Sequence, residues 1–118
     1  MESLYLVIPA CNEEKNIEDV ISEWYPLIEK CNGDGRSRLV IVNDGSRDNT
    51  REIAEKCIET KPLACLLNKE NGGHGSAVLY GYHYAIENKA DYIFQTDSDG
   101  QTSAKEFPQF WELRSKFE

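Results

Sequence analysis

Hydrophobic positions fall into two spacings along the chain. Short, nearly unbroken runs of aliphatic and β-branched residues at 4–8, 39–43, 64–67 and 92–96 read as strands. Most are apolar throughout rather than alternating, as expected of parallel strands covered by helices on both faces. Between them apolar residues recur at three and four. Ile17, Val20, Ile21, Trp24, Ile28 and Cys31 outline a first helix, which Pro26 is expected to kink or end early. Ile53, Ala54, Cys57 and Ile58 share one face of a second helix over 50–59, with Asn49 or Thr50 as its cap. A third helix over 75–87 carries Val78, Leu79, Tyr82, Ala85 and Ile86, and a last one over 103–116 presents Phe107, Phe110, Trp111 and Arg114. The order β-α-β-α-β-α-β-α predicts an α/β fold, a three-layer α/β/α arrangement with a mainly parallel central sheet. Right-handed crossovers then bring every strand's C-terminal end to one edge, where ligands bind in such folds.

The polar and glycine-containing motifs follow the strands. They are Pro9-Ala10-Cys11-Asn12-Glu13-Glu14, Asp44-Gly45-Ser46, Asn71-Gly72-Gly73-His74-Gly75 and Asp97-Ser98-Asp99, and they should meet in one crevice. Asp97 and Asp99 stand two apart after an apolar strand, a spacing that lets two carboxylates converge on a hard divalent ion such as Mg²⁺ or Mn²⁺. The plainer alternative is a turn, since Asp, Ser and Gly are ordinary turn residues. A calcium loop of the EF-hand type is excluded, because its glycine and glutamate positions hold Thr102 and Pro108. The Asp-x-Asp-Gly-Thr motif of haloacid dehalogenase-like phosphatases follows a first strand, whereas here the motif follows the fourth and Gln101 replaces the threonine. The glycines of the third motif let backbone amides approach an anion at the start of a helix, which suits a diphosphate. They lack the third glycine of a dinucleotide fingerprint, whose place holds Val78. His74 either touches phosphate or is an exposed loop histidine. Asp44, at the end of the second strand, can accept hydrogen bonds from a base N–H or ribose hydroxyls, or else belongs to a capping turn with Asp48 and Asn49. Glu13 and Glu14 equally suit the first turn of a helix.

Composition narrows the partners. Thirteen basic against 21 acidic residues give a net charge of −8, which repels nucleic acid and calls for a cation between the protein and any phosphate ligand. With 118 residues, 40% hydrophobic and 29% charged, residues 1–118 fit one folded domain. Cys11, Cys31, Cys57 and Cys65 show no paired metal-binding spacing and read as reduced, buried thiols. The apolar stretch at 4–11 is broken by Pro9 and is far below the ~20 residues of a membrane span, and no secretory leader is seen.

In this order and context the four motifs, with the second extended over Val42-Asn43-Asp44-Gly45-Ser46-Arg47-Asp48-Asn49-Thr50, resemble the family 2 glycosyltransferases of the GT-A fold. The resemblance covers residues 4–101. It implies the Rossmann-like, nucleotide-sugar-binding half of such an enzyme, with Pro9, Ala10, Glu13 and Asp44 toward base and ribose. Asn71 and Gly75 would lie in the third loop of the donor site, Asp97 toward the nucleotide, and Asp99 on Mg²⁺ or Mn²⁺, which neutralises the departing diphosphate. The donor would be a UDP- or GDP-linked sugar and the acceptor a polysaccharide, lipid carrier or other glycan. Cys11 departs from the family pattern, in which a tyrosine able to stack on the base is common. The family's general base, a carboxylate downstream of the metal motif, has no counterpart before Glu118; Glu106 and Glu112 are poor candidates. The chain is therefore expected to be an incomplete donor-binding portion, inactive alone, cytoplasmic or at the cytoplasmic face of a membrane. Its sheet, short of later strands, is expected to leave apolar surface that drives homo-oligomer formation. A non-catalytic binding or assembly module of the same fold is the alternative from another class, and the phosphatase a more distant one.

Overall fold

The computed structural model describes residues 3–32 and 35–97. Within them the elements run β1 (Leu4–Ala10), α1 (Ile17–Lys30), β2 (Arg38–Asp44), α2 (Thr50–Ile58), β3 (Ala64–Lys69), α3 (His74–Glu87) and β4 (Tyr92–Gln95). The predicted helix at 103–116 lies outside the described residues. The four strands form one parallel sheet in the order β3-β2-β1-β4. Chain order thus moves outward from β1 to β3 and then reverses, so that β4 lies on the other side of β1. That reversal is the topological switch point at which open α/β sheets leave a crevice.

The central strands are apolar and fully buried, as their unbroken runs require. Leu6, Val7, Ile8, Leu39, Val40, Ile41 and Val42 have no solvent exposure. Alternate side chains feed two cores. Leu4, Leu6, Ile8, Leu39 and Ile41 pack with the apolar faces of α1 and Ala54 of α2. Tyr5, Val7, Val40 and Val42 pack on the other side with Ala77 and Ala85 of α3. The result is the expected three-layer α/β/α arrangement.

Two boundaries at prolines differ from the sequence reading, and β3 runs two residues past its expected end, to Lys69. Helix α1 continues through Pro26 to Lys30. Pro26 is exposed, so the carbonyl left without an N–H partner can be reached by water, while Tyr25, Leu27 and Ile28 are buried and hold the last turns to the sheet. Strand β1 runs past Ile8 through Pro9 to Ala10. Its ladder with β4 ends at Val7 opposite Gln95, so Pro9 lies beyond that ladder and stays in register only with Val42 of β2. This extra turn of strand carries Pro9 and Ala10 to the sheet edge.

At the opposite edge, the polar connection after α1 is a structural join. The Ser37 hydroxyl accepts the Leu4 amide at 2.8 Å, and Asp91 accepts from the Ser3 amide at 2.8 Å and from Arg36 at 3.1 Å. The four cysteines are free and half-buried rather than buried. Desolvation, which disfavours a thiolate, raises Cys57 and Cys65 above the ordinary thiol value.

Candidate active site

Parallel strands end together, and their C-terminal ends here open on a cleft of about 320 Å³. Its lining takes in Pro9, Ala10 and Glu13 from the β1 end, Asp44 from β2, Asn71 from the β3–α3 loop and Asp97 from just beyond β4. Six of the seven donor-site residues expected from the sequence are brought together in this way. Gly75 is exposed and not on the wall; Gly73, His74 and Ala77 line that side instead, and α3 begins at His74, one residue earlier than the sequence predicts. Cys11 lines the cleft as well. Asp99, the expected metal ligand, lies outside the described residues, and among those described no group of three or more His, Cys, Asp or Glu is placed to hold a metal.

The first two loops are laced into one unit. Asn12 adopts a left-handed φ of 55°, which asparagine tolerates, and this aims its amide at the Ser46 hydroxyl, 3.0 Å away, and its side-chain oxygen at the Arg47 amide, 2.8 Å away. The Glu13 amide donates to the Thr50 hydroxyl at 2.7 Å and the Glu14 amide to Asp48 at 3.2 Å, while the Glu14 carboxylate accepts the Asn49 amide at 3.2 Å. Glu14 therefore serves the start of α2 rather than its own helix. Asn49 is the formal cap residue but makes no side-chain capping bond; Asp48 does so, accepting the Thr50 amide at 2.9 Å and its hydroxyl. Burial pushes the Asp48 carboxyl up, and the Thr50 hydroxyl with the surrounding amides outweighs it, so the group sits below the ordinary carboxylate value.

The third loop is held by Asp44, whose side chain is only 3% exposed. Its carboxylate accepts Lys69 Nζ at 2.8 Å, the Gly72 amide at 2.9 Å and the Gly73 amide at 3.0 Å, and its backbone oxygen accepts Asn71 Nδ2 at 2.9 Å. Desolvation raises this carboxyl, but the Lys69 ammonium and the two glycine amides overcome it and hold it below the usual value. The amides of Gly72 and Gly73, expected to cradle phosphate, thus already meet an anion of the protein itself. Asn71 Nδ2 also reaches Cys11 Sγ at 3.3 Å, tying the third loop to the first. Gly45 makes the close approach possible. Its φ is +61°, and a Cβ there would lie 2.5 Å from the Asn71 backbone nitrogen.

Across the cleft, Asp97 accepts Gln95 Nε2 at 2.8 Å and faces His74 Nε2 at 3.6 Å, with both side chains about half exposed. Sequence reasoning found the residues at the strand ends and missed Lys69. The pairing comes from ladder register, which places Lys69 opposite Asp44 on the last rung and which the local sequence does not display.

Comparison with known proteins gives this arrangement a family. A dolichyl-phosphate β-glucosyltransferase of Trichomonas vaginalis is 35% identical over 105 residues, covering 86% of this chain and 30% of that protein. A UDP-N-acetylglucosamine–dolichyl-phosphate N-acetylglucosaminyltransferase of Methanococcus voltae is 32% identical over 111 residues, covering 83% of this chain and 41% of that one. The chain thus spans between three- and four-tenths of the length of these relatives. Among solved structures, a mannosyltransferase from Pyrobaculum calidifontis in complex with GDP-mannose and Mn²⁺ shares the fold over 81% of this chain and 27% of its own, with a TM-score of 0.68 at 23% identity. Glucosyl-3-phosphoglycerate synthase from Mycobacterium tuberculosis, in complex with Mn²⁺, UDP and glucosyl-3-phosphoglycerate, matches 96% of this chain and 39% of its own with a TM-score of 0.70 at 24% identity. The family model of glycosyl transferase family 2 matches residues 5–116, nearly the whole sequence, and the chain belongs to that family.

Proposed function

We propose that the cleft binds a nucleoside diphosphate sugar and that this chain is the donor-binding portion of an enzyme transferring the sugar to an acceptor. The observation that carries the reading is the convergence of Pro9, Ala10, Glu13, Asp44, Asn71 and Asp97 on one cleft at the switch point of the sheet. Pro9, Ala10 and Glu13 form the wall for base and ribose, with the half-buried Cys11 where an aromatic side chain would otherwise stack. The relatives named for dolichyl-phosphate favour a polyprenyl-phosphate lipid carrier as acceptor, which would place the reaction at a membrane surface. Among the described residues no helix is long and apolar enough to cross a membrane.

A divalent ion suits the residues present. Asp97 offers a half-exposed carboxylate at the cleft, two residues before Asp99, and oxygen ligands of this kind are those Mn²⁺ and Mg²⁺ take. Asp99, with Asp97 two residues before it in the sequence, would hold such an ion, which would neutralise charge developing on the diphosphate. The chain's own residues orient the donor: Asp44 fixes the third loop, and the laced first and second loops fix the base wall.

Thermal unfolding with UDP, GDP and their sugar conjugates, with and without Mn²⁺, tests the reading. One nucleotide should stabilise the chain in the presence of metal, by about 2.7 kcal/mol at 100 times its dissociation constant, and Asp99→Ala should lose the effect. No stabilisation by any of them at millimolar concentration would sink the donor site and leave a binding or assembly module.

A further inference from the structure

We propose that Lys69 is a positioning residue of the cleft: its ammonium fixes the Asp44 carboxylate, and through that carboxylate the Asn71-Gly72-Gly73 turn that forms one wall. The pair is dictated by the fold. Parallel pairing of β2 with β3 sets Asp44 opposite Lys69 on the final rung, so the two charges meet at the sheet edge. Both side chains are largely withdrawn from water, at 12% exposure for Lys69 and 3% for Asp44. Nζ lies 2.8 Å from Asp44 Oδ1 and 2.6 Å from the Glu70 carbonyl oxygen, so one ammonium joins strand end and loop.

The turn sits directly on this group. A Cβ at Gly72 would lie 3.0 Å from Lys69 Nζ and 2.7 Å from Ser76 Oγ, so the backbone of the turn passes close over the pair. Asp44 Oδ1 accepts both Lys69 Nζ and the Gly72 amide, and Oδ2 accepts the Gly73 amide. Without the ammonium, a nearly buried carboxylate keeps two amide donors and no counter-charge. It must then take up a proton, which removes acceptor capacity, or draw water in by opening the turn. Either response moves the wall on which Asn71 and Gly73 stand. Lys69 itself does not line the cleft, so its effect on a ligand is transmitted and not direct.

The test compares wild type, Lys69→Met and Lys69→Arg in two measurements: titration with UDP and GDP in Mn²⁺, and amide hydrogen exchange of Gly72 and Gly73 without ligand. The titration rests on the donor-site reading above; the exchange does not. Lys69→Met should weaken nucleotide binding about tenfold or more, and Lys69→Arg, which restores the charge, should recover most of it. Both glycine amides, although in an exposed loop, should exchange slowly in wild type and at least about tenfold faster in Lys69→Met. Wild-type affinity and wild-type exchange in Lys69→Met would overturn the proposal, as would equal loss of affinity in both variants with the glycine amides unchanged. If Lys69→Met does not fold, Lys69→Gln takes its place, and rapid exchange at both glycines in wild type overturns the proposal by itself. A wild-type chain that binds no nucleotide removes the donor-site reading and leaves the exchange comparison to decide this one.

Discussion

Asp48 shows how much one side chain can do at this sheet edge. Its carboxylate takes the Thr50 amide and hydroxyl at the start of α2 and the Glu14 amide from the loop before α1. Asp48→Ala should lower stability by about 0.5–2 kcal/mol in urea unfolding, the usual cost of a lost cap. Because its folded value is depressed, the contribution is complete above the unfolded carboxylate value of 3.8 and disappears as pH falls through the lower folded value. The stability gap between wild type and Asp48→Ala should therefore be constant from about pH 7 to 5 and narrow steadily below about pH 4. A gap independent of pH would mean that the carboxylate is not the capping group. At this scale the sequence was legible where chemistry follows a strand. Pro9, Ala10, Glu13, Asp44, Asn71 and Asp97 could be picked out because a strand end followed by a polar loop is visible locally. Their partners could not. That Asp44 is held by Lys69, or that Glu14 serves another helix, depends on ladder register and on two loops closing on each other, and neither leaves a mark in a local window.

Helices and strands were more legible, because burial imposes period on composition. The starts of α1 and α2 and the centres of all four strands fall where the apolar spacing puts them. Two errors are at Pro26 and Pro9, where tertiary packing outweighs a local breaker, and a third is β3, which runs two residues beyond its apolar run to Lys69. One position in α3 was passed over. Gly81 lies against the sheet, and a Cβ there would stand 2.4 Å from Val7 Cγ1 and 3.2 Å from Val42 Cγ2. Val7 is a β-branched residue without exposure and has little room to turn away. Although alanine favours helices over glycine, Gly81→Ala should destabilise by about 1–3 kcal/mol, the range for overpacking. Its urea midpoint decides between the two effects, and a rise would show that α3 can lift from the sheet at little cost.

At the scale of the whole molecule, a net charge of −8 opposes any anionic ligand, while the cleft carries no clear excess of cations. Nucleotide binding should therefore fail when divalent metal is chelated, and sodium chloride at matched ionic strength should not restore it, since monovalent salt screens but does not bridge. Restoration by salt alone would identify simple screening as the requirement. The layered fold was legible from the alternation of element types; the position of β4 beside β1, which creates the cleft, was not, because strand order is decided by crossovers that pattern does not record.

The lacing of the first two loops has a bearing on how such a site can change. Asn12, Glu13 and Glu14 find their partners in Ser46, Arg47, Asp48, Asn49 and Thr50, so neither segment keeps its shape alone. Segments bound in this way hold their shape as one unit. A chimera that takes residues 11–16 from a relative should fold poorly unless residues 45–50 come with them, and a substitution that reshapes one loop should reshape the other.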